Sequence, residues 1–210
     1  MSLRSIFISL FVVLMFSNVT LAFALTEGDF LIGADNSNEV IRNLTSLYND
    51  PIAEIERKAR PCEYTDWKLC SHGGFLAKDE SFIERLIIDN TFVQSKSLSH
   101  RKLAEPLIIL RNIDPDFCKP TESTLGPSGE CIFNGQTYKV QVMCTDGYQY
   151  SIFNDGLKSA CVVTVQNMKT LKELTYDSDL LPNYIKLYGF YEGETPYRVS
   201  PEEIIAFFSL

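Results

Sequence analysis

"ECIFNGQTYKVQVMC", Glu130 to Cys144, is the stretch whose reading decides the fold class. Asn134-Gly135 lies between two runs of alternating side chains. A tight two-residue turn needs positive φ at both central positions, which Asn and Gly tolerate, so the dipeptide predicts a β-hairpin. Strands are expected over about Glu130–Phe133 and Thr137–Cys144, with Tyr138, Val140 and Val142 sharing a face with Cys144. Asp146-Gly147 and Asn154-Asp155-Gly156 mark further turns, which adds strands over Tyr148–Phe153 and Ser159–Gln166 and makes an antiparallel meander.

Upstream, the turn-rich run "CKPTESTLGPSGE" (118–130) separates this period-two pattern from a helical one. Asn36 with Glu39 forms a possible capping box, followed by Val40, Ile41, Leu44, Leu47 and Tyr48 at helical spacing. Asp50-Pro51 is expected to start a second helix with Ile52, Ile55 and Ala59 buried, ended by Pro61. Asp79 to about Gln94 reads as the strongest helix, with Phe82, Ile83, Leu86, Ile87 and Val93 on one face and Glu80 and Glu84 solvated on another. Residues 101–110 are expected to form one more, and His100 to be an exposed residue at its start.

Downstream, "NYIKLYGFY" (183–191) reads as a strand, and "SPEEIIAFF" as a helix capped by Ser200, with Pro201 in the first position and Glu203 closing a capping box. Ile204, Ile205 and Phe208 would dock that helix on the sheet. The expected class is therefore α+β: a helical part over about 36–110, then an antiparallel sheet and a C-terminal helix within about 129–210. One disulfide-stabilised domain over 25–210 is expected.

The first 24 residues have the form of a cleaved secretory signal: Arg4, an apolar run from Ile6 to Phe16, then Ala22-Phe23-Ala24. The run falls short of the roughly 20 apolar residues that a spanning helix needs. A secreted protein, periplasmic or extracellular, is expected, with no transmembrane segment in the mature chain. Removal of Arg4 would take the formal charge from −8 to −9. That acidity repels phosphate backbones and argues against nucleic-acid partners.

Cys62, Cys70, Cys118, Cys131, Cys144 and Cys161 are even in number, which in an oxidising compartment reads as disulfides. Proximity suggests Cys62–Cys70, Cys118–Cys131 and Cys144–Cys161. A regular meander with a turn at Asp146-Gly147 would hold Cys144 and Cys161 two strands apart, about 9.6 Å, beyond the limit of about 7 Å for a disulfide. Either Cys144 pairs elsewhere, or "KVQVMC" lies directly beside "CVVTVQ" with 145–160 as an excursion. The second arrangement is preferred because it matches Val142 with Val163 and Val140 with Val165.

The chemistry is sparse. His72, in "LCSHGGF", is the one catalytic candidate by residue type. A His-Gly-Gly run can turn backbone N–H groups toward a developing negative charge, but no G-x-S-x-G nucleophile elbow accompanies it. Cys62, Cys70 and His72 could supply metal ligands, yet no C-x-x-C spacing occurs, and neither metal nor cofactor is expected. The sequon Asn43-Leu44-Thr45 falls on an apparently helical stretch and is read as a chance match.

As a strand, 184–191 would carry Tyr184, Lys186, Tyr188 and Phe190 on one face; with Tyr191 and Tyr197 these form a candidate aromatic binding surface. The expected function is a non-catalytic exported interaction protein, an inhibitor, envelope accessory or secreted factor, binding a protein or else a glycan. The alternative is a small secreted hydrolase with His72 in its active site.

Overall fold

A computed structural model of the chain describes residues 37–62, 71 and 73–210. The leader, Cys70 and His72 lie outside them. In order come α1 (Asn38–Arg42), the short strands β1 (Ser46–Leu47) and β2 (Asp50–Pro51), α2 (Ile52–Ala59), α3 (Phe82–Ser95) and α4 (His100–Asn112). Strands β3 (Cys118–Thr121), β4 (Ser128–Phe133), β5 (Gln136–Tyr150), β6 (Lys158–Asn167) and β7 (Glu173–Asp177) follow. The chain ends with α5 (Leu180–Asn183), a π-helical turn over Tyr184–Tyr188, and α6 (Pro201–Phe208). This is the α+β arrangement of helices, antiparallel sheet and C-terminal helix.

Strands β3 to β7 form one antiparallel sheet in sequence order, while β1 and β2 pair separately. Asn134 (φ 48°) and Gly135 (φ 70°) make the tight turn, and Phe133 stands opposite Gln136. Along β5 and β6 the register is Val140↔Val165, Val142↔Val163 and Cys144↔Cys161. Asp146-Gly147 is therefore no hairpin turn: residues 145–148 bulge out of β5 before pairing resumes at Gln149↔Ser159. The bulge resolves the conflict between meander and bridge, because Cys144 meets Cys161 on the neighbouring strand with Cα atoms 4.0 Å apart. Cys118 and Cys131 are likewise opposed and bridged, with Cα atoms 3.9 Å apart. Cys62 is also in a disulfide; the expected Cys62–Cys70 bridge involves a residue outside those described.

Alternation gives the sheet its buried face. Tyr138, Val140, Val142, Val163, Val165, Leu174 and Tyr176 pack against Leu103, Leu107 and Leu110 of α4 and Ile204, Phe207 and Phe208 of α6. The capping box holds: the Ser200 hydroxyl accepts from Glu203 N–H, and Glu203 accepts from Ser200 N–H. A second apolar cluster joins Ile41, Ile55, Phe75, Leu76, Phe82 and Leu86 to Ile152, Phe153 and the 184–190 segment.

Four expectations are corrected. The segment "NYIKLYGFY" is not a strand. Leu180, Leu181, Tyr184, Ile185 and Tyr188 recur at helical spacing and are all buried, so the chain coils and Gly189 (φ 63°) ends it. The first helix is capped by Ser37 and stops at Arg42, which leaves Asn43 of the sequon exposed at its C-terminal end rather than within a helix. Glu80 lies just before α3 and is not solvated: it pairs with Arg85 at 2.5 Å and accepts from the N–H groups of Ala77 and Glu194. His100, at the first turn of α4, faces inward and is 2% exposed.

Candidate functional site

The aromatic residues singled out in the sequence are core, not surface. Tyr184, Tyr188, Phe190 and Tyr191 are fully buried. Phe153 stacks on Tyr188 with ring centroids 3.9 Å apart and meets Tyr184 edge-on at 5.0 Å; Phe82 closes on Phe190 at 5.1 Å. Tyr188 donates its hydroxyl to Asp155 Oδ2 at 2.9 Å, while the Tyr184 hydroxyl accepts the Ile152 N–H at 3.0 Å. Burial pushes all these phenols above the usual tyrosine range. Lys186 and Tyr197 alone of the six are exposed, and they do not join the others in a face. A helical turn rotates alternate side chains away from one another, which a strand would have aligned.

Tyr191 instead anchors the chain that builds a cavity. Its hydroxyl lies 2.9 Å from His100 Nδ1, and His100 Nε2 lies 3.0 Å from Asn90 Oδ1. Asn90 donates its amide to Asn38 Oδ1. Asn90 Oδ1 is thus an acceptor, His100 carries its proton on Nε2, and Tyr191 donates to Nδ1. From that fixed point the backbone turns at Glu192, whose φ of 65° lies in the left-handed region. Gly193 N–H donates to Phe75 O at 2.7 Å, and Arg198 donates to Glu192 O. A Cβ at Gly193 would overlap Glu80 Oε2 and crowd Leu76, so a side chain there would force both to shift.

The opposite wall is built by Ser71 and Gly73–Phe75. Phe75 and Leu76 N–H groups both donate to Ala59 O, tying it to the end of α2. Gly73 lies under the Tyr197 ring, and a Cβ there would come within 2.7 Å of Tyr197 Cε2. Between these walls is a cavity of about 330 Å3 over the solvent side of β6 and β7, lined by Ser71, Gln149, Val162, Asp177, Glu192 and Tyr197 among others. It falls at the lower end of the range for small-ligand sites, roughly 300–1,000 Å3. A concavity of about 340 Å3 beside α6 is a weaker candidate, because its buried Asn167 amide is spent on Gln136, Phe207, Lys169 and Thr170.

Glu192 dominates the electrostatics of the cavity. It is 3% exposed, and its carboxyl is pushed up to about 8 by burial and by nearby Asp177, against the Thr195 hydroxyl and Arg198. Thr195 donates to Glu192 Oε2 at 3.3 Å. Burial also raises Asp177 above the usual carboxylate range, although its Oδ1 accepts the N–H groups of Asp179 and Leu180. At neutral pH the cavity therefore holds a carboxylic acid able to donate a hydrogen bond, beside the Asp177 carboxyl and the exposed Tyr197 ring.

Among the sequence candidates that are described, Tyr197 alone lines this cavity. Ser71 and Gly73, the neighbours of His72, also line it, while His72 itself lies outside the described residues. Glu192 and Asp177 escaped notice because neither falls in a recognisable motif; an acid placed before glycine in "YEGETPYR" was the available cue. Among the described residues no group of three or more His, Cys, Asp or Glu could hold a metal ion, and no helix is long and apolar enough to cross a membrane. Compared with family models, curated proteins and solved structures, the chain matches none of them.

Proposed function

We propose that this chain is an exported, non-catalytic interaction protein whose contact site is the cavity between Ser71 and Gly73–Phe75 on one side and the 192–197 loop on the other. The observation that carries the reading is the pairing of a buried Glu192 carboxyl with the exposed Tyr197 ring, 63% accessible, on one concave wall. Holding an acid out of water and its backbone left-handed opposes stability. The disulfides support an oxidising compartment. Tyr197 and its neighbours, not a tyrosine-lined strand, carry this role. Recovery of a partner from the native compartment, disulfides intact, should fall at least tenfold with Tyr197→Ala or Glu192→Gln; equal recovery with both sinks the reading.

One observation favours the hydrolase alternative: the two neighbours of His72 share a wall with an acid whose pKa is raised to about 8. That reading requires turnover of an ester or glycoside substrate, abolished by both His72→Ala and Glu192→Gln. Turnover that survives either change removes it.

A further inference from the structure

We propose that the cavity is a recognition site for a primary ammonium group, the end of a lysine side chain or of a free polyamine, with the Glu192 carboxylate as counter-ion and the Tyr197 ring as its aromatic wall. This rests on the reading of that cavity as the contact site and names the ligand it takes.

The Glu192 carboxyl has no cationic partner among the described residues. Glu192 is almost wholly buried, yet the Thr195 hydroxyl at 3.3 Å is its carboxyl's one hydrogen-bond donor among the described residues, where no lysine or arginine forms an ion pair with it. Arg198 acts on Glu192 through its charge, but its hydrogen bonds are committed elsewhere. Its guanidinium grips both oxygens of Asp89, at 2.6 and 3.2 Å, and the carbonyl of Glu192 rather than the carboxyl. The left-handed backbone at Glu192 and the tightly packed Gly193 then fix where that side chain starts.

The remaining lining matches one chemistry. An ammonium offers three N–H donors. Glu192, Asp177 and Gln149 all line the cavity with acceptor-bearing side chains, Asp177 Oδ1 already accepting two backbone N–H groups. Tyr197 adds an aromatic face, and a cation over such a ring is attracted by its quadrupole. An anionic ligand would meet two carboxyls and, among the described residues, no lining cation. A neutral sugar would leave the Glu192 charge uncompensated as the pH rises. The groups bearing on Glu192 are Asp177 from β7 and Thr195 and Arg198 from its own loop. Binding a cation against an acid that is protonated at neutral pH must expel its proton.

The test uses the full mature chain with Nα-acetyl-lysine methylamide, its Nε-acetylated counterpart and spermidine, followed by calorimetry in buffers of different ionisation enthalpy. The expected result is saturable binding of the ammonium probes, none of the acetylated one, and release of up to one proton per ligand at pH 7. Affinity should rise about tenfold per pH unit below pH 8 and then level off. Glu192→Gln, nearly isosteric with the protonated acid, should weaken binding about ten- to a hundredfold with an unchanged near-ultraviolet dichroism spectrum. Tighter binding of the lysine derivative points to a partner's side chain, and tighter binding of spermidine to a free polyamine. Ammonium binding without recovery of any partner would discard the protein-interaction role and keep this site. Equal binding of the acetylated probe, binding unaffected by Glu192→Gln, no proton release, or binding of neutral oligosaccharide alone would each overturn it.

Discussion

Arg198 holds Asp89 of α3 with both arms of its guanidinium, Nη2 to Oδ1 at 2.6 Å and Nη1 to Oδ2 at 3.2 Å, across 109 residues of sequence. Asp89 is 2% exposed, so the pair is a desolvated clamp between the helix and the loop that carries Glu192. Removing one partner would strand the other charge away from water. Arg198→Met is expected to cost about 3–5 kcal/mol, read from the urea midpoint, with most of it recovered when Asp89→Leu is added. A double variant as unstable as the single one would show that the pair itself stabilises the fold.

The Glu192 acid makes stability depend on pH with a defined sign. Its ordinary value is about 4.3, and in the fold it is raised to about 8. The folded chain keeps the extra proton between those limits. Its favourable contribution is complete below about pH 4.3 and is lost by about 1.4 kcal/mol per pH unit until about pH 8. The difference in unfolding free energy between wild type and Glu192→Gln should drift in the variant's favour across that window and be flat outside it. A constant difference would mean that Glu192 titrates normally.

The two described sheet disulfides differ in access. Cys118 and Cys131 are buried, whereas Cys144 is exposed. A mild reductant followed by alkylation should therefore label Cys144 and Cys161 first, with peptide mass mapping as the readout. Replacing both by serine removes a bridge spanning 17 residues, worth about 3 kcal/mol. Labelling of Cys118 ahead of Cys144 would contradict this order.

Tyr184→Ala should unfold the 184–190 layer, not weaken a contact. The ring is buried among Phe75, Phe153 and Phe190. Truncation of a large core aromatic costs about 3–5 kcal/mol, measurable by thermal unfolding. Tyr197→Ala, at an exposed ring, should shift stability by less than about 0.5 kcal/mol.

These contrasts show what the sequence makes legible. Asn134-Gly135 and Ser200-Pro201 act through local backbone preferences, and each formed the element that its chemistry demands. The β5–β6 register was legible because pairing Val140 with Val165 and Val142 with Val163 also brings Cys144 opposite Cys161, which favoured that arrangement over Cys144 pairing elsewhere. Residues 183–191 failed because a nine-residue window of aromatics fits a period of two almost as well as one of 3.6. Only the wider window, with Leu180 and Leu181, tips it to a helix. His100 looked exposed because its sequence neighbours are polar, yet a helix's first turn can point any way, and Asn90 and Tyr191 wait across space. The cavity was invisible for the same reason: Ser71, Gln149, Asp177 and Glu192 are brought together only by tertiary folding.

The Cys144–Cys161 bridge sits where β5 and β6 leave the five-stranded sheet and continue as an isolated ribbon, Gln149–Tyr150 against Lys158–Ser159. It acts as a rivet at the root of that ribbon. A protease entering anywhere from 145 to 160 would sever the chain but not separate its parts, because the two ends stay covalently joined across the strand pair. Nicked protein should migrate as a single species on a non-reducing gel and fall into two fragments only with thiol present. In a compartment rich in proteases, the bridge keeps the two pieces joined when the exposed 145–148 bulge is cut, while Ile152 and Phe153 beyond it stay in the core.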